Sequence, residues 1–324
     1  MNISKRGYFS KDELGAASTR FYAEEGYLVV HDALRREETA SLKDEAVAVC
    51  RQERGPLSLS HRKNGQNVYP DPEEMKGLPD DEVISRFLCI HQAHKASPLL
   101  HETLAHPVIV DVLRRVIGPD VKCMQSMLFI KSAGKPGQAW HQDEDFIPTR
   151  DRSLAGAWIA MDDAVVENGC LWVIPGSHQD GILWPMYPHD DQRYDCATMS
   201  YDFPYKDEDA VPVEVPAGAV VFFNGYLLHK SEPNKTKSGF RRVLVNHYMS
   251  AQSLLPWYHS ESLPGMVAQA DYRDIVMVAG KDPYEWKGTE DIAHPHVRAA
   301  GGGGCGDGRV DLETHKKKLA RTGA

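Results

Sequence analysis

A series of short β-type runs, separated by turn residues, fills the chain beyond Lys122 and restricts the folds available to it. Each run has five to ten residues, and every segment between two runs contains glycine or proline. Many short strands joined by such turns are typical of a β-sandwich or a β-barrel. The predicted strands are 123–131, 154–161, 170–174, 211–215, 219–223 and 240–249.

The N-terminal third is predicted to be mostly helical. Ser10 and Glu13 have the spacing of a capping box, and an amphipathic pattern follows over 11–25. Further helices are predicted at 35–51 and 106–117, with a short apolar strand at 27–31 between the first two. These helices would pack outside the strands. The fold class is therefore mainly β with flanking helices, and a double-stranded β-helix (a jelly roll, cupin-like) is the most economical choice.

We predict a single domain over 1–298, with a helical part at 1–118 and a jelly-roll core at 119–298. Residues 58–81 are polar and rich in Gly, Pro and Asn, which indicates a mobile excursion. Residues 180–209 are acidic and poor in aliphatic side chains, and we interpret them as a surface insertion or a lid. The glycine-rich tail 299–324 is predicted to be disordered.

The charge balance restricts the partners of the chain. Its 324 residues include 37 Lys and Arg against 46 Asp and Glu, a formal net charge of −9. An acidic chain is poorly suited to bind nucleic acid or an anionic membrane, so we expect neither partner, and the oligomeric state is open. No apolar stretch approaches the ~20 residues that span a bilayer. The beginning of the chain lacks the apolar region of a secretory signal, and the six cysteines are scattered singly, which favours a reducing cytoplasm.

One His-x-Asp/Glu tripeptide stands out among four. The tripeptides begin at His141, His178, His189 and His259, and most matches to so short a pattern are accidental. His141 and Asp143 follow a predicted strand and a Gly/Pro turn. His178 lies in a tight turn, where we expect it to stabilise that turn, and His189 lies in the acidic insertion.

Two ligands cannot hold a metal alone, and His229 is the natural third. It ends an apolar run 88 residues after His141, and in a jelly roll strands that are distant in sequence become neighbours. Two imidazoles and one carboxylate form the facial triad of non-haem Fe(II) oxygenases, which leaves three positions open. A zinc hydrolase could use similar ligands, so the triad alone does not decide the metal.

Arg241 favours the oxygenase. It follows His229 by twelve residues, and strand alternation places it on one face with Val243, Val245 and His247. A guanidinium with paired donors suits the far carboxylate of a dicarboxylate, and 2-oxoglutarate would supply it. His247 is about 20 Å further along the strand, so we predict that it lies outside the site.

Four segments together resemble the phytanoyl-CoA dioxygenase family of Fe(II)- and 2-oxoglutarate-dependent oxygenases. They are QSMLFIK (125–131), WHQDEDF (140–146), GAWIAMDDAVVENGCLWVIPGSH (156–178) and HKSEPNKTKSGFRRVLVNHY (229–248). The pattern is most similar to the branch of phytanoyl-CoA dioxygenase domain-containing proteins. The resemblance implies iron on His141, Asp143 and His229, 2-oxoglutarate held by Arg241, and O₂ as the second co-substrate. It further implies co-substrate contacts from Met127, Gln142, Trp158, Ser231 and Gln125.

The chain departs from the family at one position. A lysine that some members place before the first core strand is replaced near Leu88, so no lysine is assigned to the co-substrate. Halogenating relatives lack the carboxylate ligand, whereas Asp143 is present and favours oxygen insertion. No catalytic side chain is predicted beyond the metal centre. Trp158 and Met127 could also be ordinary core residues, and Ser231 could cap a turn.

The leading hypothesis is a hydroxylase of a small organic molecule that releases succinate and CO₂. An acyl-CoA 2-hydroxylase is the alternative enzyme, and it requires basic residues at the entrance for the CoA phosphates. A non-catalytic cupin-like binding protein is the alternative outside enzymes. The basic residues available to bind the phosphates of an acyl-CoA are Arg62, Lys63, Lys131, Lys135, Arg150 and Arg152.

Overall fold

Two β-sheets that face each other, with helices on the outside of the larger one, make up the described part of the chain. The computed structural model describes residues 6–59, 71–195, 198–254, 274–291 and 293–299. The strands are β1 (Tyr8–Phe9), β2 (Tyr27–Val30), β3 (Ser58–Leu59), β4 (Phe87–His91), β5 (Val121–Ser132), β6 (Gln138–His141), β7 (Ala155–Ala160), β8 (Leu171–Val173), β9 (Met186–Pro188), β10 (Thr198–Ser200), β11 (Val211–Val213), β12 (Val220–Asn224), β13 (His229–Ser231), β14 (Phe240–Ser250), β15 (Val276–Ala279) and β16 (His296–Ala299). The α-helices are α1 (Ala16–Glu25), α2 (Arg36–Cys50), α3 (Pro72–Met75), α4 (Asp80–Ser85), α5 (Pro98–Thr103), α6 (Pro107–Val116) and α7 (Asp143–Phe146).

The larger sheet has the strand order β1-β2-β12-β7-β14-β5-β4-β16-β3. Strand β15 pairs with the first residues of β5. Strands β5 and β14 are its longest members and pair antiparallel from Phe240 opposite Ser132 to Ser250 opposite Val121. Their apolar residues are buried on both faces of the sheet. This pair therefore forms a stiff central wall.

The smaller sheet, of order β11-β8-β13-β6, covers one face of this wall. Side chains of both sheets form one buried cluster, including Met127, Trp158 and Val245 from the larger sheet and Leu171 and Val173 from the smaller. On the other face of the larger sheet, apolar residues of α2 and α6 pack against β2, β12 and β14. Two sheets with helices outside confirm the predicted jelly roll with flanking helices.

The predicted insertion covers the outer face of the smaller sheet. Its strands β9 and β10 pair antiparallel. Trp184 and Phe203 from the insertion pack with Trp140 and Trp172, whose side chains lie on the outer face of β6 and β8. The described part of 180–209 is thus an insertion packed on the outer face of the smaller sheet.

Most predicted elements are confirmed, but the helix predicted over 11–25 begins only at Ala16, after a 3-10 turn at Lys11–Glu13. All six predicted strands and the helices near 35–51 and 106–117 are present, as is the capping box at Ser10. The described ends of the predicted excursion over 58–81 contain β3, α3 and part of α4, and its mobility stays a prediction. Residues 60–70 lie outside the described residues. So does the predicted tail except Ala299, and the domain boundaries stay a prediction.

Asp162 joins α2 to β14 on the helical side of the larger sheet. It accepts two hydrogen bonds from the Arg242 guanidinium, both of 2.8 Å, and lies 3.1 Å from the Lys43 amine. Burial acts to raise the pKa of Asp162, but the hydrogen bonds and charge of Arg242 outweigh it, so the pKa lies below its ordinary value of 3.8. The carboxylate therefore stabilises the fold at neutral pH.

We expect Asp162→Asn to lower the free energy of unfolding by about 3 kcal/mol at pH 7, because it leaves a largely buried arginine, whose side chain is 14% exposed, without its counter-ion. Since the folded pKa is depressed, this contribution is complete above the ordinary carboxyl pKa and is lost as the pH falls through the folded value. Urea unfolding of both proteins at several pH values measures it. If the free energies of unfolding of the wild type and Asp162→Asn differed as much in strong acid as at pH 7, this account would be contradicted.

Candidate metal centre and co-substrate site

The smaller sheet brings the three predicted ligands together. His141 ends β6 and lies directly opposite His229 of β13, and Asp143 begins α7 two residues later. Ligand atoms of the three side chains all lie within 4.8 Å of one another. Asp143 Oδ1 is 3.6 Å from Nε2 of both imidazoles. The predicted triad is therefore one compact cluster, although its residues are 88 positions apart in the chain.

The hydrogen bonds of both imidazoles prepare them to bind a metal. His141 Nδ1 lies 2.7 Å from the Ala139 carbonyl, and His229 Nδ1 lies 2.9 Å from the Leu227 carbonyl. A carbonyl only accepts, so each Nδ1 carries the hydrogen and each Nε2 directs its lone pair toward Asp143. Burial and the neighbouring His229 lower the pKa of His141 to about 4, which keeps it neutral. Two imidazoles and a carboxylate fit a non-haem iron ion.

His247 lies beside this cluster, in contact with Asp143, although the sequence argument placed it outside the site. Its Nε2 lies 2.9 Å from Asp143 Oδ2. The estimate of about 20 Å was measured from Arg241 along the strand. His247 is indeed far from Arg241 along β14, but the metal ligands lie near the end of β14 that carries His247. The alternation that placed His247 on the inner face was the signal that could have included it.

Arg241 is a buried cation on the wall opposite the triad. Its side chain is only 3% exposed, burial lowers its pKa to about 10, and its guanidinium carbon lies 5.4 Å from the Trp158 ring centre. Its Nε has no hydrogen-bond partner among the residues that the structure describes. A buried guanidinium is costly unless an anion accompanies it. The site therefore suits a ligand that carries a carboxylate.

The other predicted co-substrate residues lie between Arg241 and the triad or beside them. Met127 and Trp158 flank Val245 on the two neighbouring strands, and Gln125 lies opposite His247. They share the inner face of the larger sheet with Arg241. Their contact with a co-substrate stays a prediction.

Ser231 lies two residues beyond His229 on the inner face of β13. Its Oγ accepts hydrogen bonds from Lys131 Nζ at 3.0 Å and from the backbone N–H of Gln138 at 3.3 Å. Lys131 lies directly opposite Arg241 in the β5–β14 pair. With two donors already directed at its oxygen, the hydroxyl of Ser231 has its own hydrogen left to donate.

Gln142 uses its whole side-chain amide within the protein. Its Nε2 donates to the carbonyls of Ile182 (2.8 Å) and Tyr226 (2.7 Å), and its Oε1 accepts from the Trp184 amide (2.8 Å). These bonds attach the start of the insertion beside the triad. The predicted contact between Gln142 and the co-substrate stays a prediction.

Three histidines outside this cluster have structural contacts. His178 lies 3.1 Å from the Ala23 carbonyl, His91 stacks on His296, and His94 is bonded to Ser126. Glu144, next to Asp143 in the chain, is buried and accepts two hydrogen bonds from Thr149.

A jelly roll with a two-histidine, one-carboxylate cluster between its sheets, opposite a buried arginine, defines the class of non-haem iron, 2-oxoglutarate-dependent oxygenases. The family model described as phytanoyl-CoA dioxygenase (PhyH) matches residues 22–243. The chain belongs to the phytanoyl-CoA dioxygenase family. Among the residues that the structure describes, no helix has both the length and the apolar composition that crossing a bilayer requires.

Curated relatives agree with this family, and solved structures agree with the fold. The chain is 28% identical to the phytanoyl-CoA dioxygenase domain-containing protein 1 of Danio rerio, over 75% of this chain and 92% of that protein. It is 29% identical to the peroxisomal phytanoyl-CoA dioxygenase of Bos taurus, over 74% of this chain and 69% of the relative. The fold is similar to that of the epimerase SnoN in complex with Fe3+, alpha ketoglutarate and nogalamycin RO, with a TM-score of 0.55 at 19% identity, covering 90% of this chain and 95% of SnoN.

Proposed function

We propose that this chain is an Fe(II)/2-oxoglutarate-dependent dioxygenase that hydroxylates an unactivated C–H bond of a small organic molecule and releases succinate and CO₂. One observation carries the proposal. The compact cluster of His141, Asp143 and His229 lies between the sheets together with a buried arginine whose Nε has no partner among the described residues. A facial triad and a carboxylate anchor are the two parts that this chemistry requires.

In the proposed site, His141, Asp143 and His229 hold the iron. When bound, the iron supplies O₂ activation coupled to the decarboxylation of 2-oxoglutarate. The side chains contribute position and environment. The Ala139 and Leu227 carbonyls keep both imidazoles in the tautomer that can bind a metal. The apolar wall of Met127, Trp158 and Val245 keeps water from the reacting groups.

The far carboxylate of 2-oxoglutarate would bind Arg241 and the Ser231 hydroxyl. A guanidinium binds a carboxylate with two parallel hydrogen bonds, which fixes its direction as well as its position. Met127 and Trp158 would border the carbon chain, with Gln142 and Gln125 nearer the metal. A narrow cavity bordered by Leu88, Lys131 and Arg241 reaches this end of the site. Lys131 can therefore supply the positive charge that the lysine of other family members supplies from the position near Leu88.

We expect Lys131→Met to raise the KM for 2-oxoglutarate roughly tenfold, the effect of losing about 1.4 kcal/mol of charge-assisted hydrogen bonding. The variant would no longer direct the Ser231 hydroxyl toward the co-substrate. Succinate formation at varied 2-oxoglutarate measures the change, and Lys135→Met, which alters a half-buried neighbour, is the control. A KM equal to that of the wild type would contradict this role.

The acyl-CoA reading has less support from the described basic residues. Lys131 lies between the sheets, bonded to Ser231, and is therefore not at an entrance. Arg150 and Arg152 are exposed, and Arg152 stacks on Tyr226. Arg62 and Lys63 lie outside the described residues. The names of the relatives still make a phytanoyl-CoA type of substrate the second candidate, and it belongs in the substrate screen.

We also propose a cytoplasmic location and a small-molecule partner, without nucleic acid or membrane. Three cysteines, Cys50, Cys123 and Cys170, are buried thiols, which suits a reducing compartment. The relative from Bos taurus is named as peroxisomal, which makes the peroxisome the alternative compartment.

The deciding experiment is succinate and CO₂ release from 2-oxoglutarate by anaerobically Fe(II)-loaded protein on exposure to O₂. We expect slow turnover without substrate, and its loss in His141→Ala and in Arg241→Ala. Binding of 2-oxoglutarate without any turnover would favour the binding-protein reading. Absence of both binding and turnover would overturn the proposed function.

A further inference from the structure

We infer that His247 is a positioning residue that holds one oxygen of Asp143 and leaves only the other to the metal. The inference rests on the proposed function, since it concerns the same metal centre. His247 lies on the opposite sheet from the two histidine ligands and contributes no atom to the compact ligand cluster. Its role would be to set how the carboxylate ligand binds.

The two oxygens of Asp143 have separate partners. Oδ1 lies 3.6 Å from Nε2 of both His141 and His229, close enough for one ion to bind all three residues. Oδ2 lies 2.9 Å from His247 Nε2, within hydrogen-bond distance. The carboxylate is thus divided between a metal-facing oxygen and an oxygen that already has a donor.

The hydrogen bond has a defined direction. A carboxylate only accepts, so His247 Nε2 must carry the hydrogen that it donates to Oδ2. His247 Nδ1 is buried and has no hydrogen-bond partner among the described residues. The imidazole is only 3% exposed. Burying a ring with one unsatisfied nitrogen has a cost in stability, and such a cost is typical of residues kept for function.

The two partners differ in how firmly the backbone holds them. Asp143 begins the short helix α7, which follows the last residue of β6 after a single position. His247 lies within the central strand β14, paired with Gly156 on one side and Gln125 on the other. The rigid sheet therefore supports a ligand that is carried by a less regular segment, as supporting residues around metal sites commonly do.

Whether Asp143 binds through one oxygen or through both affects how many coordination positions of the metal stay open. In an octahedral site, two imidazoles and one carboxylate oxygen occupy three positions and leave three open. A 2-oxo acid that chelates takes two of these, and O₂ requires the third. If Asp143 bound through both oxygens, one of the three would be lost. By holding Oδ2, His247 keeps the site open to both co-substrates.

The test compares three variants at His247 with a matched control. His247→Leu removes the donor, His247→Gln places an amide NH₂ near the position of Nε2, and His247→Asn carries a donor too short to reach. His94→Leu is the control, because His94 is buried to the same extent (3% exposed) and bonded to one side chain, Ser126, away from the metal ligands. Anaerobic Fe(II) and Co(II) dissociation constants are measured together with the visible charge-transfer band of Fe(II) and 2-oxoglutarate and the thermal midpoint.

We expect His247→Leu and His247→Asn to weaken metal binding by about 10- to 100-fold and to shift or weaken the band. His247→Gln should restore most of both, whereas His94→Leu should change only the thermal midpoint. Wild-type affinity and an unchanged band in His247→Leu, or in His247→Asn if the leucine variant does not fold, would overturn the inference. Absence of 2-oxoglutarate turnover in the wild type would overturn the proposed function instead, while the metal affinities of the variants would still decide the role of His247.

Discussion

Replacement of Asp143 by alanine is expected to abolish 2-oxoglutarate turnover. Asp143 supplies the only carboxylate of the triad, and its Oδ1 lies equally close to both imidazoles. Without it, two neutral histidines remain, and the loss of iron affinity should exceed the ~10- to 100-fold that removing a supporting residue costs. Anaerobic Fe(II) titration and succinate release measure the two effects on one sample.

Asp145→Ala is the matched control for this prediction. Asp145 lies on the same short helix but is exposed, and it is absent from the metal cluster. It should retain iron binding and turnover close to those of the wild type. Fe(II)-dependent succinate release by Asp143→Ala at the wild-type rate would contradict the assignment of the triad.

Arg241→Gln is expected to have the second largest effect, on binding of 2-oxoglutarate. Removing one partner of a buried, hydrogen-bonded charge pair costs about 2–5 kcal/mol, so the Kd should rise roughly 30-fold or more. The variant should also lose its preference for 2-oxoglutarate over a 2-oxo acid without the far carboxylate. Calorimetric titration of both acids into Mn(II)-loaded protein measures the preference directly.

The neighbouring arginine provides the control, because adjacent residues of a strand point to opposite faces. Arg242 is ion-paired to Asp162 on the helical side of the sheet, whereas Arg241 faces the smaller sheet. Arg242→Gln should therefore destabilise the fold and leave the Kd for 2-oxoglutarate almost unchanged. The reverse pattern would mean that the anchoring arginine was assigned to the wrong position.

The long elements were predictable because each one carries its own signal. Strands β5 and β14 are twelve and eleven residues long and contain the apolar runs MLFI and VLV, and α2 combines an amphipathic pattern with clear ends. Strands β6 and β13, which carry both histidine ligands, were not predicted as strands. They have four and three residues, too few for a periodic pattern, and they exist because β13 pairs with both β6 and β8.

The site was only partly predictable for the same reason. His141, Asp143 and His229 could be selected from motif context, and Arg241 from its distance to His229 and the alternation along its strand. Strand alternation placed His247 on the inner face, but its contact with Asp143 was not predicted, since it joins residues 104 positions apart, one in β14 and the other in α7. The hydrogen bonds of Gln142 to backbone groups of Ile182, Tyr226 and Trp184 also depend on the course of a loop, which no local sequence pattern predicts.

The amino-acid sequence by itself determined the jelly-roll class, the three ligand types and the inward direction of Arg241, because hydrophobic periodicity and ligand chemistry are properties of neighbouring residues. Only the tertiary structure decided which oxygen of Asp143 faces the imidazoles, which side chain holds the other oxygen, and which surface the insertion covers. These features depend on distances of a few ångströms between the two sheets. Such distances are set by the packing of both sheets together, and no single segment contains them.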